Sequence, residues 1–279
     1  MLKGKKLYAM MGVIAILLAS GFAVSALRRR KAETTLSYDE KQALILGSEF
    51  KSDLERVALA PRYTMTATVD LQNNTVKGEM DLHYTNRSGE RLHTLVFRLY
   101  PNADTIYGGG SLTIDQIQQD NIPLDVTHAQ DATIAQVALD SPLEPDTATA
   151  VTLAFTAQVP DSPAQGYGIF ARAQGVLSLA GWYPILAPYE AGNGWQTPPV
   201  PAVGDAMLSE TSLYEVWLTA PSDHQVVATG ELLEEGTEGD QTTWHFVGGP
   251  AREFAAALSD RFETVEITAD VKQIGRAHV

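Results

Sequence analysis

From Arg62 onward the apolar residues recur with a period of two. Tyr63, Met65, Ala67, Val69 and Leu71 alternate with polar residues, Gln72-Asn73-Asn74-Thr75 interrupts, and residues 76–84 alternate again. Successive side chains of a strand point to opposite faces, so this pattern buries one face of a β-hairpin and wets the other. Asn86-Arg87-Ser88-Gly89 marks the next turn. Further runs suited to strands are 94–100, 111–118, 133–139, 148–158, 213–219, 225–233 and 242–247. The chain has 22 glycines and 14 prolines, which punctuate these runs, and no helical pattern follows residue 58. The body therefore reads as all-β, either a β-sandwich or a pair of curved, saddle-like sheets.

The first 61 residues follow other rules. Residues 7–27 carry no charge, and these 21 residues would form a helix roughly 30 Å long, the thickness of a bilayer core. Val24-Ser25-Ala26 would suit cleavage of a signal peptide. The length of the run and the Arg28-Arg29-Arg30-Lys31 cluster directly after it favour an uncleaved transmembrane anchor. Basic residues flank the run on both sides, so they do not fix its orientation. Ser37-x-x-Glu40 is a capping box. Leu46, Phe50, Leu54 and Val57 follow at helical spacing and Pro61 ends the segment, which predicts a juxtamembrane amphipathic helix over 38–58. The expected organisation is a membrane anchor with basic flanks over 1–31, a helical stalk over 32–61 and a β-domain over 62–273. One codon spelling of Ile274-Gly275-Arg276-Ala277-His278-Val279 is the start of a sequencing adapter, so 274–279 reads as an artefactual tail.

Composition removes whole classes of chemistry. The chain has no cysteine, which excludes disulfides, thiolate metal sites and cysteine nucleophiles. It carries 34 acidic and 20 basic residues for a net charge of −14, and seven of the bases precede residue 32. So acidic a body repels phosphate backbones, which excludes nucleic acid as a partner. No two histidines among His83, His93, His128, His224, His245 and His278 lie three or four residues apart, so H-E-x-x-H is absent. Gly108-Gly109-Gly110 has no following lysine or helix signal, and reads as a strand connection. Glu234, Glu235, Glu238 and Asp240 lack the alternation of a calcium loop and read as a solvated hairpin tip. The sequence offers no catalytic residue and no metal-ligand set.

One segment stands apart. Gly181-Trp182-Tyr183-Pro184-Ile185-Leu186-Ala187-Pro188-Tyr189-Glu190 leads to Gly194-Trp195, and it holds two of the four tryptophans and two of the ten tyrosines. Its prolines and glycines forbid a regular strand or helix. A loop so aromatic is either a plug buried between sheets or a wall of a substrate groove. Trp182, Tyr183, Tyr189 and Trp195 are the substrate-cleft candidates.

Several pieces, in order, resemble the N-terminal β-domain of the aminopeptidase N family of zinc metallopeptidases. Tyr63-x-Met65, Val76-x-Gly78-x-Met80 and Tyr84-Thr85-Asn86 are similar to its opening hairpin. Leu95-x-Phe97-Arg98-Leu99-Tyr100-Pro101-Asn102 is similar to its next strand, and 111–117 to the one after. Gly181-Trp182-Tyr183-Pro184 stands where the family has an aromatic-proline turn. Tyr214-Glu215-Val216 and Val227-Ala228-Thr229-Gly230 resemble a later hairpin, and Arg252-Glu253-Phe254-Ala255 with Ser259 the approach to the catalytic domain. The resemblance spans about 62–270. It implies an N-terminal, non-catalytic domain that helps to form the peptide cleft of a membrane-anchored aminopeptidase. In such an enzyme the zinc, its ligands and the catalytic glutamate lie in a later domain, so no cofactor is expected in this chain. The implied partners are membrane lipid at the N-terminal helix and peptide substrate in the complete enzyme. The implied location is a single-pass membrane protein with its body outside the cytoplasm. The alternatives are a complete, membrane-anchored β-sandwich module binding carbohydrate or protein through the four aromatics, and a structural spacer without a ligand.

Overall fold

The computed structural model describes residues 37–44, 46, 52–161 and 167–263. The expected anchor over 7–27 and the tail 274–279 lie outside these residues. Among the described residues no helix is long and apolar enough to cross a membrane. The chain divides into two compact units, Met1–Leu54 and Glu55–Val279.

In the first unit helix α1 spans Tyr38–Leu44. It opens with the capping box anticipated from the sequence. Ser37 N–H donates to the Glu40 carboxylate at 2.7 Å, and Glu40 N–H donates to the Ser37 hydroxyl at 3.2 Å. The Ser37 N–H, and after it the Ser37 hydroxyl, holds the Glu40 carboxyl below the usual carboxylate range. One continuous helix over 38–58 does not form. Leu46 lies in a bend, Ser52 in a turn, and helix α2 covers only Asp53–Arg56. Gly47, the weakest helix former of the expected span, falls near its middle.

The second unit is all-β. Its strands are β1 (Arg62–Asp70), β2 (Thr75–Thr85), β3 (Leu92–Arg98), β4 (Ser111–Gln119), β5 (Ile122–Pro123), β6 (Val126–Ala129), β7 (Ile134–Leu143), β8 (Ala148–Gln158) and β9 (Phe170–Ala173). There follow β10 (Val176–Leu179), β11 (Ile185–Leu186), β12 (Tyr189–Glu190), β13 (Gly194–Trp195), β14 (Ser212–Pro221), β15 (Gln225–Ala228), β16 (Glu231–Glu238), β17 (Gln241–Ala251) and β18 (Ala256–Ser259). One sheet has eight strands in the order β16-β17-β14-β1-β2-β8-β4-β5. Its neighbours are antiparallel except β1 and β14, which run parallel with Tyr63 opposite Tyr214 and Met65 opposite Val216. Two further sheets, β15-β18-β10-β9 and β11-β3-β7-β6, have four strands each, and β12-β13 is a two-stranded ribbon.

The period-two pattern sets the core. Tyr63, Met65, Ala67 and Val69 of β1, Val76, Met80 and Leu82 of β2, Val151, Leu153 and Phe155 of β8, and Tyr214, Val216 and Leu218 of β14 are each at most 2% exposed. They share one hydrophobic cluster with Leu95 and Phe97 of β3, Val137 of β7, Leu177 and Leu179 of β10, and Leu258 of β18. Burying a side chain of this size contributes about 1.5–3 kcal/mol. The alternate positions Thr68, Lys77 and Glu79 are exposed, so the eight-stranded sheet has one buried and one polar face. Gly78 breaks the apolar row because the Phe155 ring occupies the space a Cβ would need.

The expected single strand over 225–233 is in fact two. Residues 225–228 pair with β18 in one sheet, while β16 pairs with β17 in another. The chain changes sheets at Gly230, whose φ is 94° and whose Cβ would run into the Val247 carbonyl. Only glycine tolerates both conditions. The acids expected at a hairpin tip lie mostly on β16 itself, an exposed edge strand that carries Glu231, Glu234, Glu235 and Glu238. Charges on an edge discourage pairing with another chain.

Candidate functional site

Residues 181–195 run between β10 and β14, and the structure separates the four aromatics into two pairs. Trp182 and Tyr183 are 0% exposed. The Trp182 indole N–H donates to the Phe254 carbonyl at 3.0 Å, and the Tyr183 hydroxyl accepts the Phe254 N–H at 3.0 Å. The Tyr183 ring meets Tyr63 and Tyr214 edge-on at 5.7 and 6.3 Å, and Trp182 meets Phe155 at 5.8 Å. The Tyr63 hydroxyl accepts the Leu186 N–H at 3.1 Å. Burial pushes the Tyr63 and Tyr183 hydroxyls far above the usual phenol range and that of Tyr214 up to about 12. These groups stay protonated and serve as hydrogen-bonding links rather than as acids or bases. Trp182 and Tyr183 form the plug, and they present no surface on which a ligand could rest.

Tyr189 and Trp195 are different. They face each other across the β12–β13 ribbon, edge to face at 5.1 Å, and both are half-exposed. Trp195 also leans on Tyr84 at 6.1 Å and packs on a small cluster of Val96, Ile134 and Ala187. Glu90 pins the ribbon from outside. Its carboxylate accepts the Tyr189 hydroxyl at 2.6 Å and the Gly192 N–H at 3.0 Å. The hydrogen bond to Glu90, and after it burial, raises the Tyr189 hydroxyl above the usual range. The result is a fixed, partly exposed pair of aromatic side chains, of the kind that can stack on an apolar or planar group.

Glu253 marks the start of the aromatic segment. Its carboxylate accepts the Gly181 N–H at 3.3 Å. Burial raises the Glu253 carboxyl above the usual carboxylate range, against the opposing pull of that N–H. A raised carboxyl contributes stability in acid, below its unfolded value, and that contribution is lost as the pH rises through the folded value. Glu253→Gln is therefore expected to raise the thermal unfolding midpoint at neutral pH and to leave it unchanged in acid. An equal effect of the substitution at both pH values would reject this account.

In the sequence Arg98 is one residue of the motif Leu95–Asn102, and its setting in the fold is unusual. It ends β3 between Ile134 and Ile185 on the adjoining strands and is 1% exposed. Its guanidinium carbon lies 4.9 Å from the centre of the Tyr100 ring. Tyr100 stacks in turn on Tyr107 at 5.8 Å, and its hydroxyl donates to the Leu208 carbonyl at 3.0 Å. Burial lowers the Arg98 pKa from its ordinary value and raises those of Tyr100 and Tyr107.

Among the described residues no three histidines or carboxylates lie together as a metal ion would require. His83, His93 and His128 are exposed on separate strands. His224 Nδ1 lies 2.7 Å from the Asp223 carboxylate, and His245 Nε2 lies 2.9 Å from that of Glu215. His278 lies outside the described residues.

These features define an all-β domain with a buried aromatic plug, an open aromatic ribbon and a buried arginine. No family model matches the sequence, and no curated protein matches it. Solved structures that resemble the fold in part include the following three. One is an M1 zinc metallopeptidase from Deinococcus radiodurans, at 14% identity and a TM-score of 0.47. The others are a point mutant of such an enzyme from the same organism, at 16% and 0.49, and a mutant form bound to a Tyr-Ser-Ala substrate, at 16% and 0.48. Each match covers 72% of this chain, and the chain spans 42% of the length of each of those structures.

Proposed function

We propose that this chain is the N-terminal, non-catalytic β-domain of a membrane-anchored zinc metallopeptidase of the aminopeptidase type. Its sheets form a curved saddle, and Tyr189 and Trp195 line one side of the peptide cleft in the complete enzyme. The observation that carries the reading is where the family-like pieces fall. They lie on β1 and β2, on β3 with the turn after it, on β4, on the plug, on β14 and β15, and on the approach to β18. Buried or partly buried residues from each contribute to, or pack against, one hydrophobic cluster. The residues 7–27 tether the domain to the membrane with its body outside the cytoplasm. Zinc in such an enzyme polarises a water molecule. In this reading the zinc and its ligands lie in a later domain, and this chain shapes and bounds the cleft. The partly exposed Tyr189 and Trp195 also suit sugar stacking, which favours a self-sufficient binding module as the second reading.

The test begins with the genomic reading frame after residue 270. Several hundred further residues with H-E-x-x-H are expected, and an immediate stop codon would favour the binding module. In the complete enzyme Tyr189→Ala and Trp195→Ala should each lower kcat/KM on aminoacyl substrates by about tenfold, equivalent to about 1.4 kcal/mol of binding. Unchanged kinetics in both variants would remove them from the cleft.

A further inference from the structure

Between Arg98 and Arg252 the sequence holds one basic side chain of the Lys or Arg type, Arg172. The fold brings it to a cavity of about 160 Å³ that Arg261, His224 and Asp260 also line. That volume is far above the roughly 10–15 Å³ that admits one water molecule and below the roughly 300–1,000 Å³ of a site for a drug-sized ligand. Arg172 lies on β9 and is held there by its Nη1, which donates to the Leu71 carbonyl at 2.6 Å and to the Asn74 Oδ1 at 2.9 Å. Both Nη1 protons are thereby spent, and the Nε–Nη2 edge keeps two parallel N–H donors. Among the described residues no acid lies within 4.0 Å of Arg172. Arg261 follows β18 and is tied to the β9–β10 turn. The Ser259 hydroxyl donates to the Gly175 carbonyl at 2.8 Å and accepts the Arg261 N–H at 3.1 Å. The Arg261 guanidinium lies against Gly175, in space that a Cβ would need. Asp260 stands 3.8 Å from Arg261, with both side chains more than half exposed, so water screens most of their attraction. The His224 Nδ1 lies 2.7 Å from the Asp223 carboxylate, which fixes the ring. The rest of the lining is apolar. Leu177 and Leu258 stand opposite each other on β10 and β18, 2% and 0% exposed, and Leu71 joins them.

Like charges lining one cavity are unfavourable unless an anion stands between them. The chain has 34 acids, yet the one acid of this lining, Asp260, meets Arg261 and leaves Arg172 unmatched. A planar guanidinium edge takes a carboxylate through two hydrogen bonds at once. The leucine floor suits a short hydrocarbon body, which phosphate does not have. We propose that this cavity binds a small organic acid, its carboxylate on the Nε–Nη2 edge of Arg172 beside Arg261 and its apolar body on Leu71, Leu177 and Leu258. Because Nη1 is already held by Leu71 and Asn74, the guanidinium needs little reorganisation when the acid arrives. Neither Tyr189 nor Trp195 lines this cavity, so the proposal stands or falls apart from the peptide cleft.

The test is thermal unfolding of the full chain, followed by circular dichroism at constant ionic strength with sodium chloride as the reference. Sodium butyrate, sodium formate, butyramide and sodium phosphate are each titrated. Butyrate should raise the midpoint by a few degrees at about ten times its dissociation constant, and the rise should saturate. Formate, which lacks the apolar body, should act more weakly, and butyramide, which lacks the charge, should have no effect. Arg172→Gln should lose the butyrate response, and Arg261→Gln should weaken it several-fold. Arg91→Gln removes an exposed arginine that does not line the cavity and should respond as the parent does. A parent protein indifferent to butyrate would overturn the proposal whether or not any variant folds. So would a phosphate response equal to that of butyrate, which would leave no role for the leucines. An equal loss in Arg91→Gln and Arg261→Gln would also overturn it, because the response would then be general charge screening.

Discussion

Trp182→Ala is expected to cost the β-domain about 3–5 kcal/mol, the usual loss when a large aromatic is removed from a core. Trp182 is the largest fully buried side chain of the domain. Its loss would leave a cavity between Phe155 and Tyr183 and strip the Phe254 carbonyl of its indole donor at 3.0 Å. A buried carbonyl without a partner adds its own penalty to the cavity. Domains of this kind are stable by about 5–15 kcal/mol, so the variant should approach unfolding at ordinary temperature. Urea denaturation of the parent, Trp182→Ala and Trp195→Ala measures the difference. Trp195 is half-exposed and should cost far less, about 1–2 kcal/mol. Equal losses at the two tryptophans would mean that the plug and the ribbon are not distinct.

That contrast was only half legible in the sequence. Alternation alone placed Tyr63, Met65, Ala67, Val69, Val76 and Met80 inside, because a strand's side-chain period is fixed by its backbone. Alternation fails for 170–195, where pairings are short and contacts span great lengths of chain. Trp182 bonds Phe254, 72 residues away, and Tyr63 bonds Leu186, 123 residues away. No local pattern encodes such partners. For the same reason the sequence could name Trp182, Tyr183, Tyr189 and Trp195 together without separating the buried pair from the open one. Glu90 had no signal at all, since its role depends on Tyr189, 99 residues further on. Arg98 had a faint one, a lone cation between Phe97 and Leu99. Whether an acid meets it is a property of the fold. Gly230 was visible as a strand-breaking residue, but the exchange of sheets there needed the position of Val247.

Separating His245 from Glu215 should be the other large loss. The imidazole Nε2 lies within hydrogen-bond distance of the carboxylate, at 2.9 Å, and the two residues are 5% and 4% exposed. The pair links β17 to β14, and the Trp217 indole lies flat on the imidazole at 4.3 Å and 11°. Glu215→Leu leaves a buried imidazole facing a methyl group, and His245→Phe removes the imidazole from beside a buried carboxylate. Each single change should cost about 3–5 kcal/mol, the usual loss when one member of a buried polar pair is removed. The phenyl ring of His245→Phe can still stack on Trp217, so its loss reports on the hydrogen-bonded pair more than on packing. The double variant should recover much of the stability, with a coupling of at least about 1 kcal/mol in a double-mutant cycle. Recovery would mean that the pair fixes the pairing of β14 and β17 without adding net stability, since a matched apolar pair does nearly as well. Strict additivity would reject the coupling and would require each residue to be held by other contacts.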